Sequence, residues 1–422
     1  MNTPVLPRRS GWPHAPKLKV AHGVGFWVVA AAFAILMAFG TAPTPLWPLY
    51  QQRDGFGATT ATIAFGMLVV GAATSLFFCG HLSDRYGRRR IILPALVIAF
   101  TAALILVLWP GLPGLLVGRV LTGVAVGLMA STATTYLSDL YRQEHPDKAD
   151  SHLPATVSTA ANLGGLAMGP LLGGALAQWA PNPLTTPFVV FAALLFIAVL
   201  LVLASPETVD RELQSRQRPP RFALHRDARG AFTGAAVLGF SSFAALGMFS
   251  ALGSIVIHGD LGITSHFIGG LAAFTVLALS ALTQLVLKGL TVTAMLRAGA
   301  ITLTIGMVLV CAAMFHPSLW LYLLGAAVAG AGAGMLFKGA ITTTASVALP
   351  ASRAGVVSVY FVVAYIGMGA PSVILAAISR VVDPKVAMIG FAAVVSIGAA
   401  SAVEVALTGI SVHRNQSWLR TN

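Results

Sequence analysis

Charge is scarce in this sequence, so each charged residue in or beside an apolar stretch calls for a reason. The densest group is GHLSDRYGRRR, Gly80–Arg90, where Asp84 stands among Arg85, Arg88, Arg89 and Arg90 between two long apolar segments. One carboxylate among four guanidiniums can build charge-assisted hydrogen bonds, and Gly80 and Gly87 permit a tight turn. Such density cannot lie in hydrocarbon, so the stretch reads as a turn at a membrane surface. Three further charges stand inside apolar stretches: Arg119, Lys338 and Glu404. An Arg facing other helices can lower a neighbouring carboxylate's proton affinity or alternate between partners. At ~1.5 Å per residue, however, Arg119 lies only about 9 Å into its segment, and snorkelling to headgroups is the competing reading. Lys338 could meet an anionic substrate or sit at the interface, while Glu404 reads as structural pairing or snorkelling.

Other chemistries lack their residues. No His/Cys/Asp/Glu group has metal-ligand spacing, and Cys79 and Cys311 offer no disulfide framework. No G-x-x-x-x-G-K-[ST] loop exists to cradle a phosphate. The glycine-rich GAGAGM, Gly330–Met335, lies within an apolar segment and reads as helix packing. Neither an enzyme nor an ATP-driven pump is expected, and no metal or cofactor.

The elements that carry these residues are long and apolar. Of 422 residues 57% are hydrophobic and 9% charged, against about 25% charged in a soluble domain. Twelve apolar segments, at roughly 24–49, 59–79, 91–109, 113–138, 154–178, 184–204, 231–257, 266–288, 297–315, 318–347, 354–379 and 385–411, are long enough to cross a bilayer. The expected fold is an all-α membrane protein of twelve transmembrane helices in two pseudo-symmetric six-helix bundles. The expected division is an N-terminal tail 1–22, a first bundle 23–204, a central loop 205–230, a second bundle 231–411 and a C-terminal tail 412–422. Six spans, a charged linker and six spans is the spacing of a duplicated transporter half. With the N-terminus inside, only Arg53, Arg380 and Lys385 of the 26 Lys and Arg fall on the outer side, and only Arg119 and Lys338 fall within segments. The positive-inside rule therefore places both tails and the central loop in the cytoplasm. A net charge of +13 spread over loops in this way also argues against a nucleic-acid partner. Arg8-Arg9 resembles the start of a twin-arginine export signal, but the apolar segment behind it is too long for a signal-peptide core.

With this layout, GHLSDRYGRRR resembles the hallmark loop of the major facilitator superfamily, G-x-L-x-D-R-x-G-R-R/K, at Gly80, Leu82, Asp84, Arg85, Gly87, Arg88 and Arg89. The resemblance implies a conformational latch. Asp84 would face the start of segment 11 near Arg353 and Arg88 would pair with Asp139 at the end of segment 4, closing the cytoplasmic side and releasing when it opens. Arg119, Gly123 and Gly127 resemble the family's R-x-x-x-G-x-x-x-G element, implicated in proton coupling, and the spacing puts all three on one helical face. Gly165, Gly169, Pro170, Gly173 and Gly174 resemble the G-x-x-x-G-P-x-x-G-G element of the twelve-span drug–proton antiporters, with Pro170 bending its helix. The second-half connector, KGLTVTAMLR, keeps only Gly289 and Arg297 of the pattern.

Segment 1 lacks the deep Asp or Glu that many drug–proton antiporters carry, which leaves the proton carrier unassigned; His22 and His258 are candidates by ordinary pKa alone. Asn162, Gln284, Lys338, Tyr360 and Tyr365 are candidate substrate-binding groups, each against ordinary interhelical bonding or an interfacial place. The resulting expectation is a monomeric exporter of small amphipathic or drug-like compounds in a prokaryotic inner membrane. It would be driven by the proton gradient, with lipid, protons and a small-molecule substrate as partners. The alternative is uptake of a small metabolite by proton symport or facilitated diffusion.

Overall fold

The computed structural model describes residues 21–79, 86–148, 151–208, 223–225, 228–287, 289–349 and 352–421, with side chains as far as 409 apart from 354. Nearly all of the N-terminal tail, most of the central loop, and Gly80, Asp84 and Arg85 of the expected latch lie outside the described residues. Twelve described helices are long and apolar enough to cross a membrane. Spans 1–6 are His22–Asp54, Ala58–Cys79, Arg88–Leu108, Leu112–Glu144, Leu153–Trp179 and Thr186–Ala204. Spans 7–12 are Arg229–Gly259, His266–Val286, Val292–Phe315, Leu319–Val347, Gly355–Ile378 and Pro384–Gly409. Among the described residues the one non-helical pairing is an antiparallel bridge between Leu224 and Ala348.

The sequence sets these boundaries by ordinary chemistry. Spans 4, 5 and 6 open with a proline in the first turn, where the missing N–H costs nothing. Spans 8, 9 and 10 open on Ser265, Thr291 and Ser318, each accepting a backbone N–H three residues on. Span 1 is broken. Pro43 and Pro45 stop the first piece at Thr41, a tight turn follows at Thr44–Leu46, and a second piece, Trp47–Asp54, ends on left-handed Gly55. Span 5 carries a π-helical turn over Ala160–Gly164, just before its glycine stripe.

Small residues let the helices meet backbone to backbone. A side chain at Gly71 of span 2 would strike Val120 O of span 4, and one at Gly306 of span 9 would strike Ala329 N of span 10. Large apolar side chains such as Leu108, Trp320 and Val394 stay exposed on the perimeter, as suits a molecule solvated by lipid. The central loop is tied at both described ends: Glu207 docks on span 3, and Leu224 bridges to the connector after span 10. The last helix runs beyond its apolar part, through the expected tail, to Thr421.

Candidate functional site

Arg119 is 1% exposed, sealed inside the protein rather than reaching for headgroups. Its Nη1 donates to Gly40 O at 2.9 Å, a carbonyl in the last turn of the first piece of span 1, where a helix leaves acceptors unused. The guanidinium also lies 5.8 Å from the centre of the Trp47 ring, a cation–π distance. Its Nε is buried with no partner. The proline break in span 1 thus builds the socket: it frees Gly40 O and turns Trp47 inward. Gly123 and Gly127 do not share Arg119's surroundings. They press on Leu68 O, Ala72 and Ser75 of span 2, because steps of four residues drift around a helix by about 40° each. The expected single face is therefore split, with the cation towards span 1 and the glycines towards span 2.

Span 5 meets span 1 through Gly165, Gly169 and Gly173, whose added side chains would strike the span 1 backbone at Ala34, Ala38 and Ala42. Pro170 has no N–H for Leu166 O, and Thr41 Oγ1 fills that gap from span 1 at 2.8 Å. Gly174 turns to the other half, where a Cβ would lie 2.7 Å from His266 O of span 8. Gly270 of span 8 reciprocates against Pro170 O.

These contacts belong to a seam between spans 1–6 and 7–12, at the end that carries the 1–2, 5–6 and 7–8 connectors. Trp47 Nε1 donates to Ser250 O at 3.3 Å, and Ser254 Oγ to Thr44 O at 2.8 Å. Thr59 Oγ1 donates to Ala376 O at 3.1 Å. Gln178 Oε1 accepts from Ser265 Oγ at 3.1 Å and from His266 N at 2.9 Å. Gln52 Nε2 lies 3.2 Å from His258 Nε2. Every one of these bonds joins the two halves.

At the opposite end the described polar contacts stay within one half. Arg88 Nε lies 3.3 Å from Asp139 Oδ2, and Arg88 N donates to Glu207 Oε1 at 2.8 Å. Glu207 thereby caps the start of span 3, where the helix dipole favours a carboxylate. A side chain at Gly87, whose φ is +105°, would overlap that carboxylate. Arg89 Nη1 donates to Ser205 O at 2.7 Å and Tyr136 OH to Pro206 O. Arg353, at the start of span 11, is exposed. Glu207 carries no spacing pattern that links it to Arg88; the sequence offers only an acid just after an apolar segment.

The candidate substrate groups divide. Lys338 Nζ donates to Gln284 O at 2.7 Å and Leu287 O at 3.1 Å, so it caps the end of span 8. Gln284 Nε2 reaches Ser280 Oγ one turn back at 3.5 Å. Tyr360 is wholly buried, its OH 3.5 Å from Phe337 O, and belongs to the core. Asn162, in the π turn, and Tyr365 are half-buried. Glu404 is exposed on span 12. The described residues hold no group of three or more His, Cys, Asp or Glu able to bind a metal.

Residues 28–233, just under half of the chain, match the family described as the Major Facilitator Superfamily. These residues are a Major Facilitator Superfamily domain. The relatives that match differ in kind. The glucose transporter GlcP of Staphylococcus epidermidis is 33% identical over 98 residues, 23% of this chain and 22% of its own. The multidrug resistance protein MdtG of Proteus mirabilis is 30% identical over 191 residues, 42% of each chain. The matched stretches thus span well under two thirds of either relative. In fold the likeness extends over nearly the whole chain: the crystal structure of a bacterial homologue of the human lysosomal transporter Spinster, inward-facing and unoccupied, superimposes with a TM-score of 0.67 at 13% identity over 94% of this chain and 96% of that one. The fold is therefore that of this transporter structure, and twelve described helices are long and apolar enough to cross a membrane.

Proposed function

We propose that this chain is a secondary transporter that exports small amphipathic or drug-like compounds in exchange for protons, by alternating access, from a prokaryotic inner membrane. The observation that carries the reading is span 5. Its Gly165, Gly169 and Gly173 seat on span 1 and its Gly174 on span 8, so the element that resembles the antiporter pattern is itself part of the seam between the halves. On this reading the loop charges make the seam the outer side, and the state is the one in which the outer end is closed. Arg119 is the proposed coupling group. A guanidinium with one carbonyl partner and a vacant Nε can exchange partners as the halves rock, whereas a fully paired one is held. Asp84, Arg88 and Asp139 are the proposed latch of the opposite, outward-facing state, with Arg353 on the other side of the closing gap.

Uptake of a small metabolite is the second reading, favoured by the likeness to a glucose transporter. Expression in a host stripped of its own efflux pumps separates the two. Export predicts raised resistance to at least one amphipathic compound; unchanged resistance across a broad panel, with accumulation of a nutrient, would favour uptake.

A further inference from the structure

Five aromatic rings from spans 7, 10 and 11 form one connected group. Phe243 lies 5.4 Å from Phe337 and 5.7 Å from Tyr365, and Phe361 lies 5.9 Å from Phe337 and 6.5 Å from Tyr365. Tyr360, wholly buried, backs Phe337 and Phe361 at 6.0 and 5.7 Å. The other four are only half-buried.

Helical register says which way they face. On span 11, Ala376 takes the hydrogen bond from Thr59, while Val373 and Gly369 touch Gly66 and Val69 of span 2. These three form a stripe towards the first half; Tyr365 lies one step of four beyond Gly369, and Phe361, turned further round the helix, joins through its ring contact with Tyr365. On span 7, Ser254 and Ser250 touch span 1, and Phe243 lies seven residues further along the same stripe. The half-buried rings of Phe243 and Tyr365 therefore face the cleft between the halves, inside the seam, and Phe337 and Phe361 join them by ring contact.

Charge narrows the occupant. None of the thirteen Asp and Glu lies within spans 1, 2, 5, 7, 8, 10 or 11 away from their ends, and Glu404 of span 12 faces outward. The interior charges are both cationic, Arg119 and Lys338. A cationic ligand would enter this cleft with no counter-ion, at a heavy desolvation cost. We propose that these four rings are the binding wall for a planar aromatic ligand that is uncharged or anionic. The inference rests on the transporter reading and names its substrate class.

The test measures binding to the full-length protein in lipid nanodiscs, with chloramphenicol as the uncharged aromatic, fluorescein as the anionic one and ethidium as the cationic one. Chloramphenicol or fluorescein is expected to bind at least about tenfold more tightly than ethidium. Phe243→Ala and Tyr365→Ala should each weaken that binding about three- to tenfold. Tyr365→Phe, which keeps the ring, should restore most of it, and Phe77→Ala, on an exposed ring of span 2, should change nothing. Ethidium binding as well as the others, ring removal without effect, or none of the three binding would each overturn the proposal. Binding as expected without resistance in the efflux-deficient host would fail the export reading alone; resistance with indifferent ring variants would fail this one alone.

Discussion

Among the described residues, the polar contacts at the two ends of the molecule differ in kind. At the end with the 1–2 and 7–8 connectors, polar side chains reach across from one half to the other: Trp47 to Ser250, Ser254 to Thr44, Thr59 to Ala376, Gln178 to Ser265 and His266. At the other end, stronger groups spend themselves locally, Arg88 on Asp139, Glu207 on the start of span 3 and Arg89 on Ser205. Neutral hydrogen bonds contribute about 0.5–1.5 kcal/mol each, charge-assisted ones about twice that. The difference teaches where strength is wanted. On the proposed cycle, the bonds that break are neutral and several, while the described charged ones lie within a half. Among the described residues no ion pair crosses between the halves.

The largest effect should come from steric wedges at the two kinds of glycine contact. Gly174→Leu drives a side chain into His266 O across the seam, while Gly123→Leu drives one into Leu68 O within a half. Overpacking costs about 1–3 kcal/mol. Gly174→Leu is expected to leave thermal stability nearly intact yet cut transport by at least about tenfold, because the outer end cannot close. Gly123→Leu should lower the melting temperature and yield instead. The same fall in stability for both would erase the distinction between seam and core.

Next comes Arg119→Ala. It strips Gly40 O of its buried partner, at about 1–3 kcal/mol, and should flatten the pH dependence of transport in proteoliposomes. Arg119→Lys, which keeps the charge but not the planar fork, should recover part of it. An unchanged pH profile in Arg119→Ala would remove the residue from coupling.

Gln178→Ala deletes two bonds of the seam, worth about 1–2 kcal/mol together. It should make cysteines at the outer end several-fold more reactive to a membrane-impermeant maleimide, with no matching change at the cytoplasmic end. Equal changes at both ends would mean general loosening.

The smallest effect concerns Thr41 and Pro170. Thr41→Val should cost about 1 kcal/mol by losing its bond to Leu166 O. In a Pro170→Ala background the restored N–H can reach that carbonyl, and the same substitution should cost nearly nothing. Strict additivity of the two stability changes would refute the pairing.

Much of the fold was legible because hydrocarbon imposes a coarse rule: an apolar run of about 20 residues is a helix. All twelve segments return as spans, and the overlong tenth is a single helix, Leu319–Val347. Pro43 and Pro45 break span 1, but nothing in the sequence says that Gly40 O and Trp47 beside the break would hold Arg119. Glycine spacing told of close approach without naming neighbours, and so Arg119, Gly123 and Gly127 were placed on a common face. Tyr360 and Tyr365 of the ring group stood out as polar groups in spans, but Glu207, Gln178, Phe243, Phe337 and Phe361 gave no sign. Each acts on helices scores of residues away, and an acid after a span, a Gln at a helix end or a Phe in a lipid-soluble helix is ordinary in itself. The π turn at Ala160–Gly164 has no composition cue either.

The central claim is that the two ends open alternately and that the outer one is closed in this state. It can be read by pulsed electron–electron resonance on protein with Cys79 and Cys311 replaced by Ser. One spin-label pair, Asn182→Cys with Thr264→Cys, spans the outer end; the other, Gln143→Cys with Leu290→Cys, spans the cytoplasmic end. The account predicts a short, narrow outer distance with a long cytoplasmic one, and an exchange of the two in Gly174→Leu. Distances that rise and fall together, or an outer pair already wide apart in the unmodified seam, would contradict it.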